Sequence, residues 1–254
     1  TAVKIKDEYT RKVWNKNRRG ETLTQEEEEL IKPYAQKSSA TSIFDPSLCE
    51  VIYHWFCPPK GKILDPFAGG SVRGIIAHYL GYNYTGIDIR QEQIDSNRKQ
   101  AKNILDLDNQ PNWIVGDSNK ILSSHHLGNE KYDFVFSCPP YADLEVYSDL
   151  SGDISNMEYK DFMLAYESII AKSCEKLIQG GMACFVVGEV RGKKGNYLGF
   201  VPDTIKAFKK AGMKFYNEAI LVNSLGGAIM RANNNMKKQK LVKVHQNILT
   251  FIKR

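Results

Sequence analysis

The sequence has little of what marks a membrane-spanning, secreted or disulfide-bonded protein. No stretch approaches the roughly 18 uninterrupted apolar residues of a membrane span, and the charged N-terminal stretch lacks the apolar core of a signal peptide. The five cysteines are an odd number, form no Cys-x-x-Cys pair and have no histidine at zinc-finger spacing. We therefore expect a cytoplasmic protein with no membrane segment, no disulfide and no metal site.

Acidic residues are missing from the last part of the chain. None follows Glu218, whereas seven Lys or Arg do, so this segment carries more positive charge than the net +6 of the whole chain. The rest of the chain sums to about −1. Such a one-sided basic segment indicates a protein that meets nucleic acid, and a basic tail that serves only solubility is the alternative. The seven residues are Arg231, Lys237, Lys238, Lys240, Lys243, Lys253 and Arg254.

The composition fits one α/β domain. With 254 residues, 42% of them hydrophobic, the chain is long enough to bury a full core. From residue 60 onward, short β-rich runs alternate with helical patterns, which is typical of parallel βαβ units. The predicted strands are residues 62–67, 84–89, 112–117, 132–137, 182–190, 214–222 and 245–253, and the predicted helices are residues 46–57, 72–80, 91–104, 158–179 and 202–211.

The pattern also predicts the organisation of the chain. No helix is predicted between the last two strands, so we expect them to form an antiparallel edge hairpin. The fold class is therefore α/β, with a seven-stranded, mostly parallel sheet and helices on both faces. Residues 1–40 have a basic opening and then an acidic run, in which Thr24 and Glu27 have capping-box spacing. We predict a helical extension over residues 1–40 and a single domain over residues 41–254.

A glycine turn follows the first predicted strand and leads into a helix. It comprises Asp65, Pro66, Phe67, Ala68, Gly69, Gly70 and Ser71. Glycines at such a turn let the backbone come close to a ligand at the carboxyl edge of the sheet. Ser71 stands where a dinucleotide-binding GxGxxG has its second glycine, and the Gly-Lys-Ser/Thr ending of a P-loop is absent. A turn with a purely structural role is the alternative.

Carboxylates end the next two predicted strands. Asp88 lies 18 residues after Gly70, near the spacing at which an acidic residue binds a ribose diol. Asp117 ends the third strand and is followed by Ser118. Together with Asp65, they present three carboxylates around one glycine turn. This pattern suits a ligand with an adenosine and an amino portion, such as S-adenosylmethionine.

The fourth predicted strand ends in Ser137, Cys138, Pro139, Pro140 and Tyr141. The two prolines keep the backbone extended and donate nothing to a strand ladder, which leaves their carbonyls free beside an aromatic face. The pattern fits a receptor for a flat base that carries an amino group. A Pro-Pro strand terminator is the alternative.

The runs ILDPFAGGS, YTGID, WIVGDS and SCPPY, in this order and spacing, resemble the amino-methylating DNA methyltransferases. Those enzymes modify N6 of adenine or N4 of cytosine with S-adenosylmethionine. The upstream run SIFDPSLCEVIYHWFCPPKGK resembles their cofactor-binding segment, so that the resemblance covers roughly residues 42–190. The chain is also similar to the stand-alone methylases of bacteriophages. The resemblance implies a Rossmann-like methyltransferase fold, and it implies DNA as the partner.

The resemblance further implies roles for individual residues. Residues 65–71 would hold the methionine end of the cofactor, Asp88 its ribose and Asp117 its adenine, while residues 138–141 would hold the target base. The cofactor-binding residues implied in this way are Ser42, Phe44, Asp65, Pro66, Phe67, Ala68, Gly69, Gly70, Ser71, Asp88, Ile89, Asp117 and Ser118.

The chain departs from this family immediately before Pro-Pro-Tyr. The family has Asp, Asn or Ser there, whereas this chain has Cys138, with Ser137 one position earlier. A thiol is a weak hydrogen-bond partner. We expect the Pro139 carbonyl to accept one hydrogen of the target amine, Cys138 or Ser137 to take the other, and Tyr141 to stack on a base extruded from the helix. Cys138 also raises the alternative of thiolate addition to C6 of cytosine, which gives 5-methylation.

Little sequence remains for a separate target-recognition domain, because 64 residues follow Val190. We expect a basic loop over residues 223–243 to contact nucleic acid instead, and a flexible hairpin loop is the alternative. Its candidate residues are Arg231, Asn233, Asn234, Lys237, Lys238 and Lys240. Weaker candidates for the site are Glu189, Arg191, Asp143, Glu145 and Tyr147.

The sequence therefore predicts an S-adenosylmethionine-dependent DNA amino-methyltransferase. The alternatives are cytosine 5-methylation, methylation of RNA or of a protein amide, and a non-catalytic methylase-like subunit that binds nucleic acid.

Overall fold

A computed structural model of the chain describes residues 9, 10, 12, 13, 16, 22–35, 44–106, 108, 110–124, 127–141, 148, 150, 152–192, 194–223 and 226–254. Contacts within the chain divide it into two compact units, Thr1–Ile43 and Phe44–Arg254.

The described part of the first unit is mainly helical. Residues 9, 10, 12, 13 and 16 have helical backbone, and helix α1 spans Gln25–Ala35. The predicted capping box is present, because the Thr24 N–H donates to Glu27 Oε2 (2.9 Å) and the Glu27 N–H donates to Thr24 Oγ1 (3.2 Å). The Lys16 ammonium lies 2.8 Å from the same carboxylate.

The second unit is built on a seven-stranded sheet with the strand order β3-β2-β1-β4-β5-β7-β6. The strands are β1 (Lys62–Asp65), β2 (Asn83–Asp88), β3 (Asn112–Val115), β4 (Tyr132–Ser137), β5 (Leu177–Val187), β6 (Lys214–Val222) and β7 (His245–Ile252). The pairs among β1 to β5 are parallel, and β7 runs antiparallel to both β5 and β6. The predicted mostly parallel sheet with an antiparallel edge pair is confirmed.

Helices cover both faces of this sheet. They are α2 (Pro46–Phe56), α3 (Val72–Tyr79), α4 (Gln91–Ile104), α5 (Ser118–Ile121), α6 (Tyr159–Lys176), α7 (Phe200–Lys210) and α8 (Gly226–Lys237). In β1, Ile63 packs with α2, α3 and α4, while its neighbour Leu64 packs with α6 and α7 on the other face. Among the described residues, no helix combines the length and the apolar character needed to cross a membrane.

The connection between β6 and β7 differs from the prediction. Helix α8 occupies Gly226–Lys237, within the segment 223–243 that we predicted as a basic loop without a helix. Two glycines and three asparagines give residues 226–237 weak intrinsic helix propensity, so no helix was predicted there. Strands β6 and β7 still pair, but their connection is a helix with flanking turns.

Strand β5 begins earlier than predicted. It starts at Leu177, inside the predicted helix 158–179, and α6 ends at Lys176. Gly180 and Gly181 look like a helix terminator in sequence, but they lie within the strand and exchange backbone hydrogen bonds with Lys253. The left-handed backbone of Gly180 (φ +81°) lets the strand bend there. The glycine pair therefore marks a strand irregularity instead of the end of a helix.

Candidate cofactor and target-base site

The site lies where the strand order reverses. The chain runs outward from β1 through β2 to β3 and then returns to β4 on the other side of β1. In open α/β sheets, the crevice at such a switch point binds ligands at the carboxyl ends of the strands. Asp65 ends β1 and Ser137 ends β4, so the glycine turn and the Pro-Pro-Tyr loop leave the sheet on the two sides of this crevice.

Two side chains from β2 and α4 hold the glycine turn by hydrogen bonds to its backbone. Gly69 has left-handed backbone (φ +50°), its N–H donates to Asp88 Oδ2 (2.9 Å), and its carbonyl accepts from Asn97 Nδ2 (2.7 Å). Beside it, a Cβ added to Gly70 would have no protein atom within 4 Å. The turn therefore presents fixed main chain to open space, which fits a ligand that approaches the backbone closely.

Asp65 is an internal anchor of this turn. Its side chain is fully buried and accepts hydrogen bonds from Arg73 Nε (2.6 Å), the Tyr84 hydroxyl (2.7 Å) and Ser137 Oγ (2.5 Å). The Phe67 N–H also donates to it, at 3.1 Å. The Asp65 carboxylate is thus occupied by the protein, whereas the half-buried backbone of Gly69 and the exposed backbone of Gly70 can meet a ligand.

Arg73 completes the anchor, and the sequence analysis missed it. Its guanidinium is buried against Asp65 and also donates to the carbonyls of Phe67 (2.7 Å) and Ala68 (3.0 Å). Burial is the largest single influence and lowers the pKa of Arg73. The charge and hydrogen bond of Asp65, together with Tyr84 and Cys138, outweigh it, so the pKa lies above its ordinary value. A charged residue on the otherwise apolar first turn of α3, eight residues after Asp65, is the signal that could have revealed it.

Asp88, predicted to bind ribose, lies beside the glycine turn. One carboxylate oxygen accepts from the Gly69 N–H and the other from the Arg90 N–H (2.9 Å). A carboxylate oxygen has a second lone pair, so both can still accept from a diol. Burial raises the pKa of Asp88, and the hydrogen bond and charge of Arg90 oppose this increase only in part.

Asp117 and Ser118 lie on the same side of the site. Asp117 Oδ1 caps α5 by accepting from the Asn119 N–H (2.8 Å), and Ser118 Oγ donates to the Pro66 carbonyl (2.5 Å). Gly152, which the sequence analysis missed, lies against this group. A Cβ there would come within 3.3 Å of Asp117 Oδ2 and 3.5 Å of Ile89 Cδ1, so glycine keeps the space beside them free.

Ser137, the last residue of β4, does not fit the hypothesis that its side chain takes a hydrogen of the target amine. It is fully buried and its hydroxyl donates to Asp65, so it faces the protein interior. Pro139 is buried, whereas Cys138, Pro140 and Tyr141 are half-buried. Cys138 is therefore the side chain of the two that remains near the surface.

Tyr141 is fixed at both ends of its ring. Gln246 Nε2, in β7, donates a hydrogen bond to the Tyr141 hydroxyl, which also interacts with Cys138. The ring packs edge-on against Phe200, with centroids 5.9 Å apart. Burial and Cys138 raise the pKa of Tyr141 well above its ordinary value, so the phenol stays neutral. Gln246 is 105 residues away in sequence, and no local signal predicts this contact.

The basic candidates are mostly exposed. Arg231, Asn233, Asn234, Lys237 and Lys238 are exposed on α8 or just after it, and Lys240 is half-buried. The Lys240 ammonium lies where a side chain at Gly195 would be, against a turn in which Arg191 stacks on Tyr197 (3.9 Å) and donates to the Gly195 carbonyl (2.8 Å). Arg191 and Lys240 therefore lie on one basic surface beside this turn.

The remaining predicted residues have these positions. Phe44 packs edge-on against Phe136 (5.7 Å) and lies 4.8 Å from the Arg73 guanidinium. Glu189 accepts from the N–H groups of Gly199 (2.9 Å) and Phe200 (2.8 Å) and so caps α7. Ser42, Asp143, Glu145 and Tyr147 lie outside the described residues. In the described part of the chain, no group of three or more His, Cys, Asp or Glu is arranged to hold a metal ion.

One family model matches part of the chain. A family model described as RNA cap guanine-N2 methyltransferase matches residues 60–174, which contain the glycine turn, both later carboxylates and the Pro-Pro-Tyr loop. A search of curated proteins returns no match.

Solved structures of methyltransferases share the fold. TrmN from Thermus thermophilus superposes with a TM-score of 0.55 at 13% identity, over 86% of this chain and 52% of TrmN. The chain thus spans about half the length of TrmN. The magnesium protoporphyrin IX methyltransferase ChlM from Synechocystis PCC 6803, solved with bound S-adenosylmethionine, superposes with a TM-score of 0.52 at 13% identity, over 82% of this chain and 79% of ChlM.

The fold is therefore that of the Rossmann-like methyltransferases. The fold is shared with methyltransferases, and residues 60–174 are similar to a methyltransferase family model.

Proposed function

We propose that the chain transfers a methyl group from S-adenosylmethionine to the exocyclic amino group of a DNA base, N6 of adenine or N4 of cytosine. The observation that carries the proposal is the hydrogen bond from Ser137 to Asp65 (2.5 Å). It fixes the Pro-Pro-Tyr loop to the glycine turn across the switch-point crevice. A donor held by one loop and an acceptor held by the other would then meet in a set orientation.

On the cofactor side, the chain's residues bind and orient S-adenosylmethionine. S-adenosylmethionine supplies a methyl group that is already activated on its sulfonium. The backbone at Gly69 and Gly70 receives the methionine portion, because Gly70 faces open space. Asp88 accepts the ribose hydroxyls on lone pairs that Gly69 and Arg90 leave available. Asp117, whose second carboxylate oxygen is not engaged in capping α5, accepts from the adenine amino group.

On the target side, the residues after β4 bind the amine. The Pro139 carbonyl lies beyond the end of β4 and accepts one hydrogen of the target NH2 group. Cys138 is the half-buried side chain next to it and takes the other. With both hydrogens bound, the nitrogen lone pair turns out of the ring plane towards the methyl donor. Tyr141 stacks on the base once it has left the duplex.

The basic surface supports a polynucleotide as substrate. Lys237 and Lys238 are exposed on α8 and beyond it, and Lys240 joins them to the turn that carries Arg191. No acidic residue follows Glu218, so nothing in that segment neutralises these charges. Such a surface suits the phosphate backbone, and Asn233 and Asn234 are exposed beside it for contacts to base edges.

Methylation of RNA at guanine N2 is the second candidate, favoured by the family model over residues 60–174. The amine of guanine is also exocyclic and conjugated with its ring, so the same carbonyl and side-chain acceptors would bind it. The two candidates therefore differ in the polymer and in the base, and they share the chemistry.

The test is transfer of isotope-labelled methyl groups to double-stranded DNA, single-stranded DNA and RNA, followed by mass spectrometry of the nucleosides. N6-methyladenine or N4-methylcytosine in DNA supports the proposal, whereas N2-methylguanine in RNA alone replaces it with the second candidate. The appearance of 5-methylcytosine would make Cys138 a nucleophile. No product on any polymer would overturn both candidates.

Gly70→Leu is the matched negative control for this assay. Its Cβ meets no protein atom within 4 Å, so the variant should keep the wild-type melting temperature. Its longer side chain fills the space proposed for the cofactor. Loss of both cofactor binding and methyl transfer in a folded variant would tie the activity to this site, and retained activity would remove the assignment of the cofactor site.

A further inference from the structure

We infer that Gln246 is a positioning residue for the target base, acting through Tyr141. The inference rests on the proposed function, because it concerns the orientation of the ring that stacks on the base. Its basis is the hydrogen bond from Gln246 Nε2 to the Tyr141 hydroxyl, which joins β7 to the loop after β4.

Two contacts at opposite ends determine the plane of the Tyr141 ring. The hydroxyl is held by Gln246, and the ring edge lies against Phe200, at an interplanar angle of 79°. Gly188 lies beside this arrangement, and a Cβ there would make ordinary van der Waals contact with the Tyr141 hydroxyl (3.6 Å) and Gln246 Cγ (3.8 Å). A ring held only at its Phe200 edge could rotate about its side-chain bonds, whereas the additional hydroxyl contact removes that freedom.

Strand β7 is a rigid support for this contact. It pairs with β5 on one side and with β6 on the other, and Gln246 itself pairs with Leu221 in the β6 ladder. The ladder with β5 begins at the next residue, Asn247, and a side chain on such a strand holds its partner more accurately than one on a loop. The contact with Gln246 thus anchors Tyr141, and with it the start of the loop after β4, to the sheet.

The same contact extends to Cys138. The Tyr141 hydroxyl accepts from Gln246 and also interacts with Cys138, which forms a chain of three side chains from β7 to the proposed amine acceptor. Because the phenol has a single O–H, accepting from Gln246 leaves that O–H available for the cysteine. Gln246 therefore positions the Tyr141 ring directly and, through the Tyr141 hydroxyl, also Cys138.

The test is a double-mutant cycle with Gln246→Leu and Tyr141→Phe. Each single change removes the same hydrogen bond, and phenylalanine keeps the aromatic face for stacking. We expect each to lower kcat for methyl transfer about tenfold, since small errors in the position of reacting groups have effects of this size or larger. Because Tyr141→Phe also removes the contact with Cys138, the double variant should be no slower than Tyr141→Phe alone. The Kd for S-adenosylmethionine and the melting temperature should stay at wild-type values.

The outcomes separate this inference from the proposed function. If the wild-type chain methylates no polynucleotide, both are overturned. If it is active and Gln246→Leu retains wild-type kcat, or if the two changes are additive, the inference alone is overturned. Gln110→Leu is the matched control, because Gln110 bonds to the carbonyls of Leu105 and Asp106 away from the site, and it should leave kcat unchanged. If Gln246→Leu does not fold, Tyr141→Phe removes the bond from the other side with almost no change in shape.

Discussion

Ser137 and Asp65 are 72 residues apart in sequence, yet their side chains share a 2.5 Å hydrogen bond in the interior of the protein. The bond crosses from β4 to β1 at the point where the strand order reverses. The same Asp65 carboxylate pairs with Arg73, which in turn donates to two carbonyls of the glycine turn. The buried Asp65–Arg73 ion pair thus fixes the position of the glycine turn, where we propose that the cofactor binds. Through Ser137 it also fixes the start of the Pro-Pro-Tyr loop, where we propose that the target base binds.

We expect Ser137→Ala to destabilise the protein by about 1.5–3 kcal/mol, because it removes a buried hydrogen bond to a charged group. Ser173→Ala is the matched control. That serine is also buried, but its hydroxyl donates to a neutral carbonyl, of Ile169 at 2.8 Å, so its loss should cost only about 1 kcal/mol. Urea unfolding of both variants measures the difference in the free energy of unfolding. Equal losses would contradict the claim that the hydrogen bond to the Asp65 carboxylate is the stronger of the two.

We expect the affinity for S-adenosylmethionine to fall on acidification because of Asp88. Burial raises the pKa of this carboxyl above its ordinary value of 3.8, so it takes up a proton at a higher pH than a free aspartate. Protonation removes an acceptor for the ribose hydroxyls. Calorimetric titrations at a series of pH values should show a rising Kd in the wild type as the pH falls through the raised pKa. In Asp88→Asn, binding should be weak and independent of pH.

The same pKa shift has the opposite sign for folding stability. The folded protein binds the Asp88 proton more tightly than the unfolded chain, so the contribution of Asp88 to stability is present below the unfolded pKa and is lost as the pH rises through the folded pKa. The free energy of unfolding of Asp88→Asn minus that of the wild type should therefore increase as the pH rises, because only the wild type loses this contribution. A difference that stays constant with pH would show that the pKa is not raised.

Replacement of Cys138 by serine distinguishes two chemistries. A serine hydroxyl still accepts a hydrogen of the target amine, so an amino-methylating enzyme should keep activity within about tenfold of wild type. A mechanism in which the thiolate adds to the base needs the sulfur, and Cys138→Ser should then lose nearly all activity. Quantification of the methylated nucleosides gives both the residual rate and the identity of the product.

The five thiols should differ strongly in reactivity. Cys49, Cys57, Cys174 and Cys184 are buried, and burial raises the pKa of each to about 12, so they remain protonated at neutral pH. Cys138 is half-buried. Iodoacetamide should therefore alkylate Cys138 first in the folded protein, as located by peptide mass spectrometry. Fast labelling of any of the other four would contradict the described packing.

Neutralising Lys237, Lys238 and Lys240 together with glutamine should weaken DNA binding and flatten its salt dependence. Each lost phosphate contact reduces the slope of log K against log salt by about 0.9. Lys60, Lys62 and Lys131 serve as the matched triple control, since they lie at the amino ends of β1 and β4, away from the proposed surface. Titration of a labelled duplex at several salt concentrations tests this, and an unchanged slope would remove α8 and the residues after it from the interface.

The sequence predicted those parts of the fold that local patterns specify. The strands alternate with helices at nearly the predicted positions, and Thr24 and Glu27 form the predicted capping box. The antiparallel pairing of β6 with β7 was also predicted correctly. Helix α8 was not predicted, because its glycines and asparagines have low propensity, which indicates a loop when no tertiary contact is considered.

For the candidate site, the sequence determined which residues stand at the strand ends. Local sequence shows a strand followed by glycines and a carboxylate at the end of each of the next two strands. Because parallel strands bring their carboxyl ends to one edge of the sheet, these residues were expected to lie close together. The roles within that edge were decided by the tertiary structure. Asp65 is sealed inside by Arg73 and Ser137, and Tyr141 is held by Gln246. These contacts join residues up to 105 positions apart, and sequence spacing carries no information about which buried groups a folded sheet will bring within hydrogen-bonding distance.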